Sequence, residues 1–388
     1  METSKLLPRR NTGSGVRPPL DALAPLCYHT GPVRSAVLQN VRRVVVKLGT
    51  GVLTDSRKRP DPLQFTQLVA QVAALRNRGL EVVIVTSGAV GAGMGALGFD
   101  RRPSSLAELQ ACAAIGQSRL MAMYETLFRH YEVGIAQVLL THDDLADHTR
   151  HINARNTLLT LLKGGIVPII NENDAVSVTE LKFGDNDRLS ALVAALLPAD
   201  LLVILTTADG LIQNFGKPDA RLLTEVERID GLVEDMAGGT TSATAVGGMA
   251  TKIQAAKIVV RSGIPLVITS GRKFDALGRI LAGETEGTLF LPAAGRLPSR
   301  KRWIAFFDVP RGSLTVDDGA RQALREQGRS LLAPGITQVD GQFNAGEVVR
   351  IVDSQGAVFA RGLTRLSSSE LSTRPRTEAV HRNDLVLL

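Results

Sequence analysis

From residue 42 onward, solidly apolar runs rich in β-branched residues alternate with longer stretches whose apolar positions recur at helical spacing. The runs "RRVVVKLG" (42–49), "LEVVIVTSG" (80–88), "VGIAQVLLT" (133–141), "GIVPIIN" (165–171), "DLLVILTT" (200–207) and "IPLVITS" (264–270) read as buried strands. Between them, "PLQFTQLVAQVAALRNRG" (62–79) reads as an amphipathic helix ended by glycine. Residues 105–131, 151–163 and 248–262 read as further helices, and another follows "FGDNDRLS" (183–190). Strands without polar alternation need cover on both faces. The repeated strand–helix–strand order therefore predicts a three-layer α/β sandwich with a mainly parallel central sheet.

After about residue 295 the pattern changes. "GSLTVDDGARQALREQGRSLL" holds one helix, and the remainder is a string of short strands punctuated by turn signals such as Asp340-Gly341 and Gln355-Gly356. We expect a first domain over 41–295 and a small β-rich domain over 303–388, joined through "LPAAGRLPSRKR" (291–302). Residues 1–40 carry Pro, Gly and Arg without periodicity, and are expected to be a disordered extension or upstream sequence included by an early start codon. The longest apolar stretch (189–205) is broken by Pro198 and Asp200, so it reads as helix, turn and strand, not as a membrane span.

Composition narrows the classes. Hydrophobic residues at 44% and charged residues at 21% fit a globular protein with a full core. Aromatics at 4% leave little material for stacking nucleic-acid bases. The only cysteines, Cys27 and Cys112, make no disulfide scaffold and fit a reducing, cytoplasmic setting. A net charge of +7 permits phosphorylated or carboxylate ligands and nucleic acid, although a solvated basic surface is the plainer reading.

The candidate chemistry sits at strand ends, where ligands bind in such sheets. The first strand ends in "KLGTG", with Lys47 at its tip, and the second in "TSGAVGAGMG", with Ser87 before a small-residue turn. Glycine-rich turns opening helices let backbone N–H groups approach an anion. Gly93, Gly95 and Gly98 spell the dinucleotide pattern G-x-G-x-x-G. They start several residues past the strand, and the acidic residue expected about 20 positions on is missing. The G-x-x-x-x-G-K-[ST] phosphate loop is absent. "NENDAV" (171–176) and "GDND" (184–187) are expected to converge across a hairpin, and "VGGMATK" (246–252) sets Gly247-Gly248 before a helix with Lys252 in its first turn. Alone, "GDND" reads better as a helix cap, with Asp187 over the helix dipole. His142, His148 and His151 lack a ligand pattern and read as part of a solvated, ion-paired loop and helix start.

Taken together, "VVKLGTGVLT", "VTSGAVGAGM", "INARNTL", "PIINENDAVS", "FGDNDRLSA" and "GGMATK" resemble the amino acid kinase family, and within it the glutamate 5-kinase branch. "SLLAPGITQVDGQFNAGEVVRI" and "ARGL" resemble a PUA domain. The resemblance implies the amino acid kinase fold and ATP-dependent phosphorylation, with Mg²⁺, of the γ-carboxylate of L-glutamate to γ-glutamyl phosphate, the first step towards proline. By matching positions it assigns Lys47 and Lys252 to the transferring phosphoryl group and Asp187 to positioning them. Ser87, Asp174 and Asn186 fall to glutamate. Lys47, Thr206, Thr207, Val246, Gly247, Gly248, Met249, Ala250, Thr251 and Lys252 fall to ATP. The chain departs from the pattern at Thr207, where relatives often carry Asp, and at Val246 and Ala250, where they carry Thr and Ser. The resemblance also implies a homo-oligomer, proline as feedback inhibitor, and glutamate-5-semialdehyde dehydrogenase as recipient of the labile product. A sister kinase with another acyl acceptor, or an RNA-binding PUA protein, are the rival readings. Few aromatics and a dispersed basic excess weigh against RNA.

Overall fold

The computed structural model describes residues 32–56, 59–177, 186–238, 248–371 and 377–388. In chain order the central sheet takes β1 (Arg43–Leu48), β2 (Glu81–Val85), β3 (Ile135–Leu140), β4 (Val167–Glu172) and β5 (Leu201–Thr206). A two-stranded hairpin, β6 (Ile212–Gln213) with β7 (Arg221–Leu222), interrupts it before β8 (Glu225–Val226), β9 (Leu266–Ser270) and β10 (Thr288–Phe290). The spatial order is β3-β4-β2-β1-β5-β9-β10-β8. Every pairing is parallel except β9 with β10.

Between the strands run α1 (Pro32–Leu38), α2 (Thr50–Leu53), α3 (Pro62–Asn77), α4 (Ala89–Met94), α5 (Leu106–Arg129), α6 (His142–Ala146), α7 (His148–Lys163), α8 (Asn186–Leu196), α9 (Gly231–Gly238), α10 (Met249–Arg261) and α11 (Ala276–Leu281). The twofold repeat of a strand divides their packing. Val45, Leu202 and Ile204 point to the face covered by α7, α8 and α10, whereas Val44, Val46, Leu201 and Val203 point to the face covered by α3, α5 and α11. Both faces are dry, which is why the strands read as unbroken apolar runs.

The expected disorder of residues 1–40 does not hold from Pro32 onward; residues 1–31 lie outside the described residues. Helix α1 packs Leu38 into the core, and the buried Arg34 donates to the carbonyls of Thr224 and Glu286. Those acceptors lie far along the chain, so no local periodicity announces this helix. The hairpin expected between "NENDAV" and "GDND" falls mostly on residues 178–185, which also lie outside the described residues.

Helices α4 and α5 touch backbone to backbone. A Cβ on Gly93 would lie 1.8 Å from the Cys112 carbonyl oxygen, and one on Gly116 would lie 1.7 Å from that of Ala89. We predict that Gly116→Ala lowers unfolding free energy by about 1–3 kcal/mol or more, the scale of overpacking a tight contact. Urea denaturation checks it, and an unchanged midpoint would contradict the contact.

Helix α12 (Ser299–Arg302) runs directly into a π-helical turn, Trp303–Phe307. Beyond it lie β11 (Gly312–Val316), α13 (Asp318–Gln327), β12 (Leu331–Leu332), β13 (Ile336–Asp340), β14 (Val348–Val352), β15 (Val358–Thr364) and β16 (Glu378–Leu387). These strands form a second sheet in the order β12-β16-β15-β14-β11-β13. The π-helical turn packs on both units. Phe307 joins the first core, Ile304 and Ala305 pack with Val348 and Val386, and Arg361 donates to the Ala305 carbonyl.

Candidate active site

The register of the sheet brings the strand tips level. Lys47 of β1 lies opposite Val85 and Ile204, Val85 opposite Ile170, and Thr206 opposite Ser270. The turns that follow these tips all open at one edge. Next to β1, Gly49 donates its N–H to the Leu205 carbonyl, and a Cβ there would lie 3.1 Å from that oxygen. The missing side chain thus lets the turn lie against β5.

Two lysines and one acid meet at this edge. Lys47 Nζ lies 2.7 Å from Asp187 Oδ1, and Lys252 Nζ lies 3.0 Å from Asp187 Oδ2. Thr251 donates its hydroxyl to the same Oδ2 at 2.8 Å. Asp187 is 0% exposed, and both lysines are buried. Strand geometry supplies Lys47, the first turn of α8 supplies Asp187, and the first turn of α10 supplies Thr251 and Lys252. Burial alone would raise the Asp187 carboxyl, but the two ammonium groups and the hydrogen bonds they donate overcome it and hold it at about 2. The carboxylate is therefore ionised at any physiological pH and takes no proton there. The cluster sets two ammonium groups on one buried carboxylate, in a place where charge needs close partners. Such a cluster suits the arrival of a further anion.

On one side of it, Ser87 is buried and Asn186, the first residue of α8, is half-buried. Asn186 Nδ2 donates to the Thr86 carbonyl (2.6 Å), Asn171 Oδ1 (2.9 Å) and Ser87 Oγ (3.1 Å). Asn171 Nδ2 donates in turn to Gln117 Oε1 at 2.8 Å. Asp174 is half-buried in the turn just beyond the tip of β4. On the other side, Thr206 ends β5, and Thr207 is exposed, with its methyl carbon 2.9 Å from where a Cβ on Gly51 would lie. Gly248 caps α10, Ala250 is exposed, and Met249 is buried in the apolar core, which leaves its backbone for any ligand. Val246 and Gly247 lie outside the described residues. The structure thus brings Lys47, Asp187, Thr251 and Lys252 together and sets Ser87 beside Asn186.

Sequence reasoning missed Gln117, Asn171 and Arg272. Arg272 donates to the carbonyls of Gly51 and Thr54 and so holds the turn after β1 from across the sheet edge. Only "NENDAV" carried a usable signal, because its polar residues begin while the strand pattern is still apolar. His148 is exposed, as expected, with its ring edge-on to Trp303 at 5.4 Å between ring centres, whereas His151 is half-buried and stands edge-on to Phe307 at 4.6 Å. Burial pushes His151 down to about 4, despite its hydrogen bond to the Leu145 carbonyl. Asp144 and Arg150 do form the expected surface ion pair.

Comparison with known proteins decides the family. Residues 42–270, more than half of the chain, match the amino acid kinase family, and residues 312–382 match the PUA domain. A glutamate 5-kinase of Citrifermentans bemidjiense is 50% identical over 373 residues, covering 92% of this chain and 100% of that protein. The glutamate 5-kinase of Geobacter sulfurreducens is 46% identical over the same shares. The chain belongs to the amino acid kinase family.

Within the amino acid kinase family, both relatives place it among the glutamate 5-kinases, and the PUA match accounts for the second sheet. Among solved structures, a carbamate kinase from Giardia lamblia bound to AMP-PNP aligns with a TM-score of 0.46 at 20% identity, covering 66% of this chain and 99% of that one. No described helix is long and apolar enough to cross a membrane.

Proposed function

We propose that this kinase transfers the γ-phosphoryl group of ATP to the side-chain carboxylate of L-glutamate, giving γ-glutamyl phosphate and ADP. The observation that carries the reading is the buried Lys47–Asp187–Lys252 cluster at the carboxyl edge of the sheet. A carboxylate oxygen forms the new bond to phosphorus while the bridging oxygen of ADP leaves, so no general base is needed. The barrier lies in bringing one anion onto a polyanion in line, and positioning with charge neutralisation meets it. Lys47 and Lys252 supply the neutralising charge. Asp187 holds both by charge-assisted hydrogen bonds.

Ser87, Asp174 and Asn186 hold glutamate in this reading. Thr206, Thr207 and the segment Val246 to Lys252 receive the nucleotide. Both Asp187 oxygens are engaged by lysines, and among the described residues no three acidic, histidine or cysteine side chains gather as a metal site. In this reading Mg²⁺ comes with ATP, as part of the substrate. The acyl phosphate product is prone to hydrolysis, so the reading includes a dehydrogenase that consumes it, in the cytoplasm.

The test uses the full chain with ATP, Mg²⁺, hydroxylamine and a panel of acids comprising glutamate, aspartate and N-acetylglutamate. Hydroxylamine traps an acyl phosphate as its hydroxamate. Product with glutamate alone is the expected result. Product with another acid alone would make the protein a sister kinase, and no product with any acid would remove the reading.

A further inference from the structure

We propose that Gln117 is a positioning residue for the amino end of the acceptor. Together with the Thr86 carbonyl, and acting through Asn171, it holds the Asn186 amide with its carbonyl oxygen, not its NH₂, turned to the substrate's α-ammonium group. The inference rests on the glutamate reading above and adds to it a means of selecting an amino acid over a plain dicarboxylate.

The Thr86 carbonyl oxygen can only accept, so the Asn186 atom 2.6 Å from it is the amide nitrogen. Asn171 then meets that nitrogen with its own oxygen, at 2.9 Å. This leaves the Asn171 nitrogen to donate to Gln117, whose oxygen lies 2.8 Å away. The Asn186 amide is thus held from two ends, by the Thr86 carbonyl directly and by Gln117 of helix α5 through Asn171. At the far end, Gln117 Nε2 is buried and meets no hydrogen-bond partner among the described residues. Turning the Gln117 amide over would set NH₂ against NH₂ at Asn171, so the chain of bonds has one consistent direction.

The residues that transmit this direction are held firmly. Asn171 is 1% exposed and Gln117 is 8% exposed. Gly116, next to Gln117, is in backbone contact with α4, and Tyr124 on the same helix exchanges a 2.8 Å hydrogen bond with the Thr86 hydroxyl. With both its N–H groups used inside the protein, Asn186 has only an oxygen left for a ligand. An amide oxygen accepts and cannot donate. It fits an ammonium group and gives nothing to a carboxylate.

The experiment compares the intact wild-type enzyme with Gln117→Met, which keeps the length of the side chain and removes the accepting oxygen. Glutarate, which has both carboxylates of glutamate and no amine, serves as competitor. Losing the anchor of an oxygen set against a charged group is expected to raise KM for glutamate about tenfold, with kcat and KM for ATP within about twofold. The inhibition constant of glutarate is expected to stay within about twofold, because glutarate lacks the group that Asn186 reads. Gln117→Glu, which keeps an oxygen facing Asn171, is expected to retain the wild-type KM within about threefold, and keeps the test alive if the methionine variant does not fold.

An unchanged KM in Gln117→Met overturns the assignment. So does an equal loss for glutamate and glutarate, which marks a general disturbance of the pocket, or a tenfold loss in Gln117→Glu. Wild-type enzyme that forms no glutamyl hydroxamate instead sinks the glutamate reading itself.

Discussion

Lys252→Ala and Lys47→Ala are each expected to lower kcat by about 10²–10³, the scale of removing one preorganised donor from a developing charge. Both ammonium groups are already in place, buried and paired at 3.0 and 2.7 Å to a single carboxylate, so no reorganisation is needed when phosphorus moves. That is the condition under which a charge stabilises the transition state more than the bound substrates. Steady-state rates with saturating ATP and glutamate check it. A variant that turns over near the wild-type rate while its KM for ATP rises would make that lysine a nucleotide anchor. The two substitutions should not be additive, because each lysine also restrains the carboxylate that holds the other.

Asp187→Asn carries the second large effect, on rate and on stability together. The amide keeps the shape of the carboxylate and loses its charge, leaving Lys47 and Lys252 buried without the carboxylate that pairs them. Breaking a buried ion pair in this way costs about 3–5 kcal/mol. We expect kcat to fall about 10²-fold or more with smaller changes in KM, since both lysines lose their restraint. A pure rise in KM would make Asp187 a binding residue. Because the native carboxyl is held at about 2, below its unfolded value of roughly 3.9, its stabilising effect is fully present above about pH 4 and is lost as pH falls towards 2. The stability gap between wild type and Asp187→Asn, measured by urea denaturation, should therefore be constant from pH 5 to 8 and close on acidification, over roughly pH 4 to 2. An acid limb near neutral pH that disappears in the variant would contradict an organiser already ionised there.

Much of the site was readable because its parts are strand ends. A buried strand needs apolar residues on both faces, so Lys47, Ser87 and Thr206 stand out where the apolar run stops. The turns at "KLGTG" and "VGGMATK" are marked by glycine for a related reason, since backbone approaches a neighbour there without a side chain in between. The resemblance then gave each tip an expected role. Gln117 shows the limit of this kind of reading. It lies inside a long helix whose pattern is explained by packing alone, and its amide matters only because Asn171 arrives from another strand. Arg34 and Arg272 are similar cases, since their acceptors are backbone carbonyls, which leave no mark in a sequence.

By itself the sequence determined the main buried strands, the long helices between them, their order and the separation into an α/β unit and a β-rich unit. Those features follow from local geometry: apolar residues every other position or every three to four, and glycine or proline where the backbone turns. Only the tertiary structure decided that one carboxylate would face two lysines from distant elements, that α1 would close the core, and that the π-helical turn would pack against both units. Each depends on which strands become neighbours and on buried charges finding partners across the fold, and the free energy of such contacts exists only after the chain has closed around them.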